Sequence, residues 1–240
     1  MRKPAQIWPE HVCVSRDLPA GEFCENTMDI YEPLLSGEPT TIVLTHAING
    51  RKEDLTQFAF ALAANGLRVC NINWRGQGLL ADCRNLAGTV RSVRNARQVV
   101  LVTWADSSLL GAQVALDPIN ALDAFVGLAG YYGWPDVEAP PEVVNRATIA
   151  LIGAHPTADP ASWKVINPYA NYSSAALPIT LVVGDRDPLR RDAESFSARL
   201  GGVKVVTVPN CGHAELVITR LPAGRQAIRA VLAALPAEPR

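Results

Sequence analysis

Six short runs rich in β-branched residues, set between longer segments with helical spacing, constrain the fold of this 240-residue chain most. The runs are 41–45 (TIVLT), 67–73 (LRVCNIN), 99–103 (VVLVT), 124–128 (AFVGL), 179–183 (ITLVV) and 203–208 (VKVVTV). Each is almost continuously apolar, as a strand covered on both faces must be; a strand with one wet face alternates instead. Such strands separated by helices make βαβ units and therefore an α/β fold, a mostly parallel sheet flanked by helices on both faces. The spacing predicts helices over 55–65, 84–97, 109–116, 192–200 and 224–235, an edge hairpin within 22–31 and a frayed tail over 236–240.

Residues 1–240 read as a single domain, because a chain that is 48% hydrophobic can fill one sizeable core without metal or disulfide staples. The stretch 130–178 has no strand pattern, yet it carries Tyr131, Tyr132, Trp134, Trp163, Tyr169 and Tyr172 among several prolines. It is too long for a plain loop and reads as a small cap insertion.

A net charge of -1 gives no field to draw in nucleic acid or anionic lipid, and the arginines of 84–97 and 186–191 are interrupted as on solvated helix faces. Nucleic-acid and membrane partners are therefore not expected. Five cysteines form no C-x-x-C pair, and an odd count suits a reducing compartment. After the basic start MRKP come Gln6, Pro9, Glu10 and His11 instead of an apolar signal core, so the expected location is the cytoplasm.

Four segments at the ends of strands carry the candidate chemistry. The run Thr103-Trp104-Ala105-Asp106-Ser107 joins a strand to an apolar helix by a tight turn, with small Thr and Ser at its two ends. After strand 179–183 comes Gly184-Asp185-Arg186-Asp187-Pro188, where a carboxylate can hold an imidazole and stabilise its charged form. Asp187 is the first choice and Asp185 the second. After strand 203–208 comes Cys211-Gly212-His213, and a histidine titrates close enough to neutrality to take a proton and return it. After strand 41–45, the turn His46-Ala47-Ile48-Asn49-Gly50 could aim backbone N–H groups at an oxyanion.

With the segments Met28 to Pro33, Asn71 to Gly76, Gly130-Tyr131-Tyr132 and Asn167-Pro168-Tyr169, these motifs resemble the α/β-hydrolases, in particular the esterase, feruloyl-esterase-like and kynurenine-formamidase-like group. The likeness spans roughly residues 28–220. It implies a nucleophile elbow of the G-x-S-x-G type at 103–107 and partners in the order acid, then histidine. By that resemblance Asp187 and His213 take the acid and base roles, and Ala105 takes the nucleophile's position. The N–H groups of Ala47 or Ile48 and of Asp106 would form the oxyanion hole, and His46, Trp104, Tyr131, Tyr132 and Trp134 would line the substrate pocket. The implied activity is attack on an ester, thioester or amide-like acyl bond of a small molecule, by hydrolysis, acyl transfer or cyclisation, with no metal or other cofactor. The family's H-G-G turn is His46-Ala47-Ile48 here, both elbow glycines are replaced, and the serine is absent.

Three readings of Ala105 remain open. A Ser-to-Ala replacement would hold a substrate without turnover; a natural noncatalytic relative would bind a small ligand or protein partner; or the nucleophile has moved to Asp106, Ser107 or a water. The first is preferred, because a site freed from catalysis has no chemical need for Asp187 and His213. Attack by Asp106 would require a one-residue slip, which turns every strand side chain to the opposite face.

Overall fold

The computed structural model describes residues 11–20, 23–34, 37, 39–73, 79–93, 96–133 and 160–237. Trp134, the Trp74-Arg75-Gly76 segment, the 134–159 part of the expected cap and the last three residues of the expected tail lie outside them. Among the described residues eight strands form one sheet in the order β1-β2-β4-β3-β5-β6-β7-β8. They are β1 (Val12–Ala20), β2 (Phe23–Pro33), β3 (Thr41–Thr45), β4 (Arg68–Asn73), β5 (Val99–Trp104), β6 (Ala124–Leu128), β7 (Ile179–Gly184) and β8 (Lys204–Val208). Strands β3 to β8 pair in parallel; β1 and β2 form an antiparallel hairpin, and β2 runs antiparallel to β4.

The helices are α1 (Thr56–Ala63), α2 (Leu79–Ser92), α3 (Ser107–Leu116), α4 (Pro160–Ile166), α5 (Pro168–Asn171), α6 (Arg190–Leu200) and α7 (Pro222–Ala233). Successive strand residues point to opposite faces, so each parallel strand feeds two cores. Val43, Leu101, Phe125 and Leu181 pack with Leu86 and Val90 of α2, Leu109 and Leu110 of α3, and Phe196 of α6. On the other face Ile42, Leu44, Val102, Val126 and Val182 pack with Phe58 and Leu62 of α1 and with Ile228 and Val231 of α7. Every residue of helix α3 except Gln113 is buried, as expected of a helix that is otherwise apolar or small all round.

The hairpin is longer than the expected 22–31 and begins with β1, whose half-exposed residues give no clear apolar signal. Helix α2 occupies 79–92 rather than 84–97. No helix among the described residues is long and apolar enough to cross a membrane.

The turn after β3 is anchored from behind by a buried charge. Lys52, only 2% exposed, pairs with Asp29 of β2, equally buried, and with the exposed Asp17. Asn71 of β4 donates to the Lys52 carbonyl at 2.7 Å. The start of the 3-10 turn Lys52–Leu55 is thereby fixed to two strands.

Candidate active site

Strand β5 ends at Trp104 and helix α3 begins at Ser107, leaving Ala105 and Asp106 to make the turn. Ala105 has φ of 57°, a left-handed conformation that costs a residue with a Cβ about 1–2 kcal/mol. Such a conformation persists only where its surroundings enforce it. Here Ala105 N–H donates to the Leu128 carbonyl at 2.9 Å, and its own carbonyl accepts from Tyr131 N–H at 3.2 Å and Ser108 N–H at 3.1 Å.

Thr103 and Ser107, at the two ends of the turn, are held by their hydroxyls. Thr103 Oγ1 lies 2.8 Å from Ser108 Oγ; Ser107 Oγ donates to the Trp104 carbonyl at 2.8 Å and lies 2.9 Å from Thr45 Oγ1. The room that an elbow glycine would supply is found one helical turn later. A Cβ on Gly111 would sit 2.4 Å from Thr103 Cγ2 and 3.1 Å from Phe125 Cε2. Gly111→Ala is therefore expected to cost about 1–3 kcal/mol by overpacking, read by urea unfolding. Adding Thr103→Ser, which removes that methyl and keeps the hydroxyl, should recover most of the loss.

The loops after β7 and β8 bring Asp187 and His213 side by side. His213 Nδ1–H faces the Asp187 carboxylate, 3.1 Å from Oδ2 and 3.2 Å from Oδ1. The Asp187 side chain is fully buried and also accepts Leu189 N–H at 2.8 Å, which fixes its rotation. Asp185, the second choice, is exposed and does a different job: its carboxylate accepts Cys211 N–H at 3.0 Å. That bond and a second from Asn210 N–H hold the Asp185 carboxyl below the usual carboxylate range. Arg186 N–H donates to the Cys211 carbonyl at 3.0 Å, and a Cβ on Gly184 would lie 2.2 Å from that oxygen. The two loops touch through backbone, so the carboxylate and imidazole arrive in register.

The turn after β3 is closed by its own carbonyl. His46 is fully buried and its Nδ1–H donates to the Ala47 carbonyl at 2.6 Å, which also accepts Gly50 N–H at 2.7 Å. Burial pulls the His46 imidazole below its ordinary value, favouring the neutral ring. Ile48 N–H, one of the expected oxyanion donors, donates at 2.7 Å to Asp106 Oδ1. Burial pushes the Asp106 carboxyl up, against the opposing pull of Ile48 N–H, its own N–H, the nearby His213 and Ser107 N–H. The sequence offered Asp106 as a backbone donor and, on one open reading, as a nucleophile, but not as an acceptor for the Ile48 turn; the available signal was a carboxylate at the N-terminus of a buried helix, where the helix dipole favours an anion.

Of the expected pocket residues, Trp104 is beside His213, the two ring centroids 6.2 Å apart. Tyr131 and Tyr132 are buried in the core between α3 and α6. Tyr132 stacks on Phe196 with centroids 4.9 Å apart, and its N–H donates to the Asp192 carboxylate at 2.7 Å. Burial pushes that carboxyl up to about 8. These contacts tie the chain after β6 to α6 and make Asp192 a site-supporting residue that sequence reasoning missed. Among the described residues no group of three or more His, Cys, Asp or Glu side chains is placed to hold a metal ion.

No family model matches the chain, and no curated protein matches it at significant similarity. Solved structures do resemble it. A bacterial heroin esterase superposes with a TM-score of 0.76 at 15% identity, over 97% of this chain and 87% of that one. Esterase B from Lactobacillus rhamnosis gives 0.75 at 14% identity, over 94% and 86%. A serine-to-alanine mutant of esterase Est22 gives 0.75 at 16% identity, over 94% and 80%. The chain has the α/β-hydrolase fold, with its sheet mostly parallel and helices on both faces.

Proposed function

We propose that this chain carries the site of a serine-type hydrolase or acyl transferase for a small ester, thioester or amide-like substrate, with Ala105 in the nucleophile's place. It then holds an acyl substrate without forming an acyl-enzyme. The observation that carries this reading is the left-handed Ala105 at the end of β5, on the same edge of the sheet as the loops that bring His213 Nδ1 to 3.1 Å from Asp187. A strained backbone at a site with an assembled acid–base pair has a function to serve.

With a serine at 105, Oγ would attack the acyl carbon while His213 takes its proton through Nε2, since Nδ1–H is engaged by Asp187. Asp187 would keep the imidazole in that tautomer and stabilise its charged form. The imidazolium would then protonate the leaving group, and water or another acceptor would repeat the sequence to release the acyl group. The esterase names among the structural neighbours agree with acyl chemistry at the level of the fold.

Ala105→Ser is expected to give turnover of p-nitrophenyl acetate or butyrate that the alanine chain lacks and that His213→Ala abolishes. The alternative, a noncatalytic protein that binds a small ligand or protein partner, is favoured by one observation, the Asp106 carboxylate seated on Ile48 N–H. It predicts no turnover from any folded serine variant.

A further inference from the structure

An acyl oxyanion needs backbone donors already aimed at it, and the turn after β3 offers the N–H of Ala47 or of Ile48, of which we take Ile48, the one that faces the elbow. In this structure that donor is engaged by Asp106 Oδ1 at 2.7 Å. Asp106 stands directly after the elbow, at the N-terminus of the ten-residue helix α3, where the helix dipole favours negative charge. Helix geometry, the Ile48 turn and the neighbouring His213 thus converge on one carboxylate. Attack by Asp106 from the elbow position would need a register slip, and the structure has none. Ala105 keeps the elbow position with its positive φ, and Asp106 reaches the donor from the next residue through its own side chain.

We propose that Asp106 is a built-in occupant of the oxyanion hole, an anion supplied by the chain itself that acyl substrates must displace. A carbonyl oxygen entering the hole is neutral in the ground state, and it competes against a charged acceptor. Charge-assisted hydrogen bonds are roughly twice as strong as neutral ones, so the competition favours Asp106. Restoring the nucleophile alone then leaves acyl transfer slow; restoring it and removing the carboxylate opens the site. Asp106 is in this sense a second lock on the chemistry, independent of the missing hydroxyl. It acts through Ile48 and is a positioning residue rather than a catalytic one.

The assignment of the hole rests on the hydrolase reading, so the test has two arms. In the first, the Ile48 amide is followed by 15N NMR in the alanine chain during titration with sodium acetate. Asp106→Ala, or Asp106→Gly should the former not fold, is expected to show a saturable shift of Ile48 as acetate takes the vacated donor, while the chain with Asp106 shows none. In the second, fluorophosphonate labelling of Ala105→Ser is compared with that of Ala105→Ser, Asp106→Ala. The double variant is expected to react at least about tenfold faster, since a single oxyanion donor is worth a hundredfold or more in rate. Labelling of both serine proteins at the same measurable rate, or an Ile48 amide that ignores acetate in the variant, would overturn the proposal. A shift of Ile48 with no labelling of either serine protein upholds it and counts against the hydrolase reading alone.

Discussion

Asp187→Asn, placed in the Ala105→Ser, Asp106→Ala protein, is expected to lower kcat by about three to four orders of magnitude while leaving KM nearly unchanged. The effect is large because Asp187 acts on His213 in two ways at once. Its carboxylate accepts Nδ1–H at 3.1 Å and so leaves Nε2 as the basic nitrogen, and its charge stabilises the imidazolium that forms on proton transfer. An asparagine can present its NH2 to Nδ1, which selects the other tautomer and turns the base away from the elbow. Folding should survive, because either side chain can accept Leu189 N–H through Oδ1. Steady-state kinetics on a p-nitrophenyl ester read the result. A fall of less than about tenfold would mean that Asp187 is not the orienting acid.

Lys52→Met is expected to destabilise the fold by about 3–5 kcal/mol. The loss comes less from the missing attraction than from Asp29, which is left as a buried carboxylate without its principal cation. Arg16, at 4.0 Å and largely exposed, is a poor substitute. The pair Lys52→Met, Asp29→Leu should recover much of the loss, since replacing both partners of a buried ion pair by apolar groups is often neutral or better. Thermal and urea unfolding of the single and double variants decide the matter, and a single variant within about 1 kcal/mol of the parent would contradict the account. Because Lys52 lies two residues beyond Gly50, its loss also loosens the turn that carries Ile48 N–H.

The parts of the fold that could be read from sequence are those whose pattern is set by burial alone. Strands β3 and β6 fall on the residues expected, because TIVLT and AFVGL have no polar interruption long enough to blur their ends. Strand β1 was hidden because VCVSRDLPA lies at the sheet edge with most residues partly or fully exposed, so neither a continuous nor a clean alternating pattern is required of it. At the site, Asp187 and His213 could be named because their loops follow strands in a fixed order, and the structure places them in contact. Tyr131 and Tyr132 could not be sorted into pocket or core, since an aromatic ring suits both; Phe196 and Asp192, sixty residues on, decide the place of Tyr132. The direction taken by the Asp106 side chain was equally beyond reach. It depends on Ile48, which lies 58 residues away in sequence and is brought to the elbow only by the pairing of β3 with β5.

The central claim is that position 105 is a nucleophile's place served by His213. The most direct measurement is mass spectrometry of the Ala105→Ser, Asp106→Ala protein after exposure to a fluorophosphonate, with the modified peptide mapped. The account predicts one adduct, on the residue at 105, which disappears when His213 is replaced by alanine. A folded protein that takes up no probe, or one that carries the adduct on Ser107 instead, would contradict it.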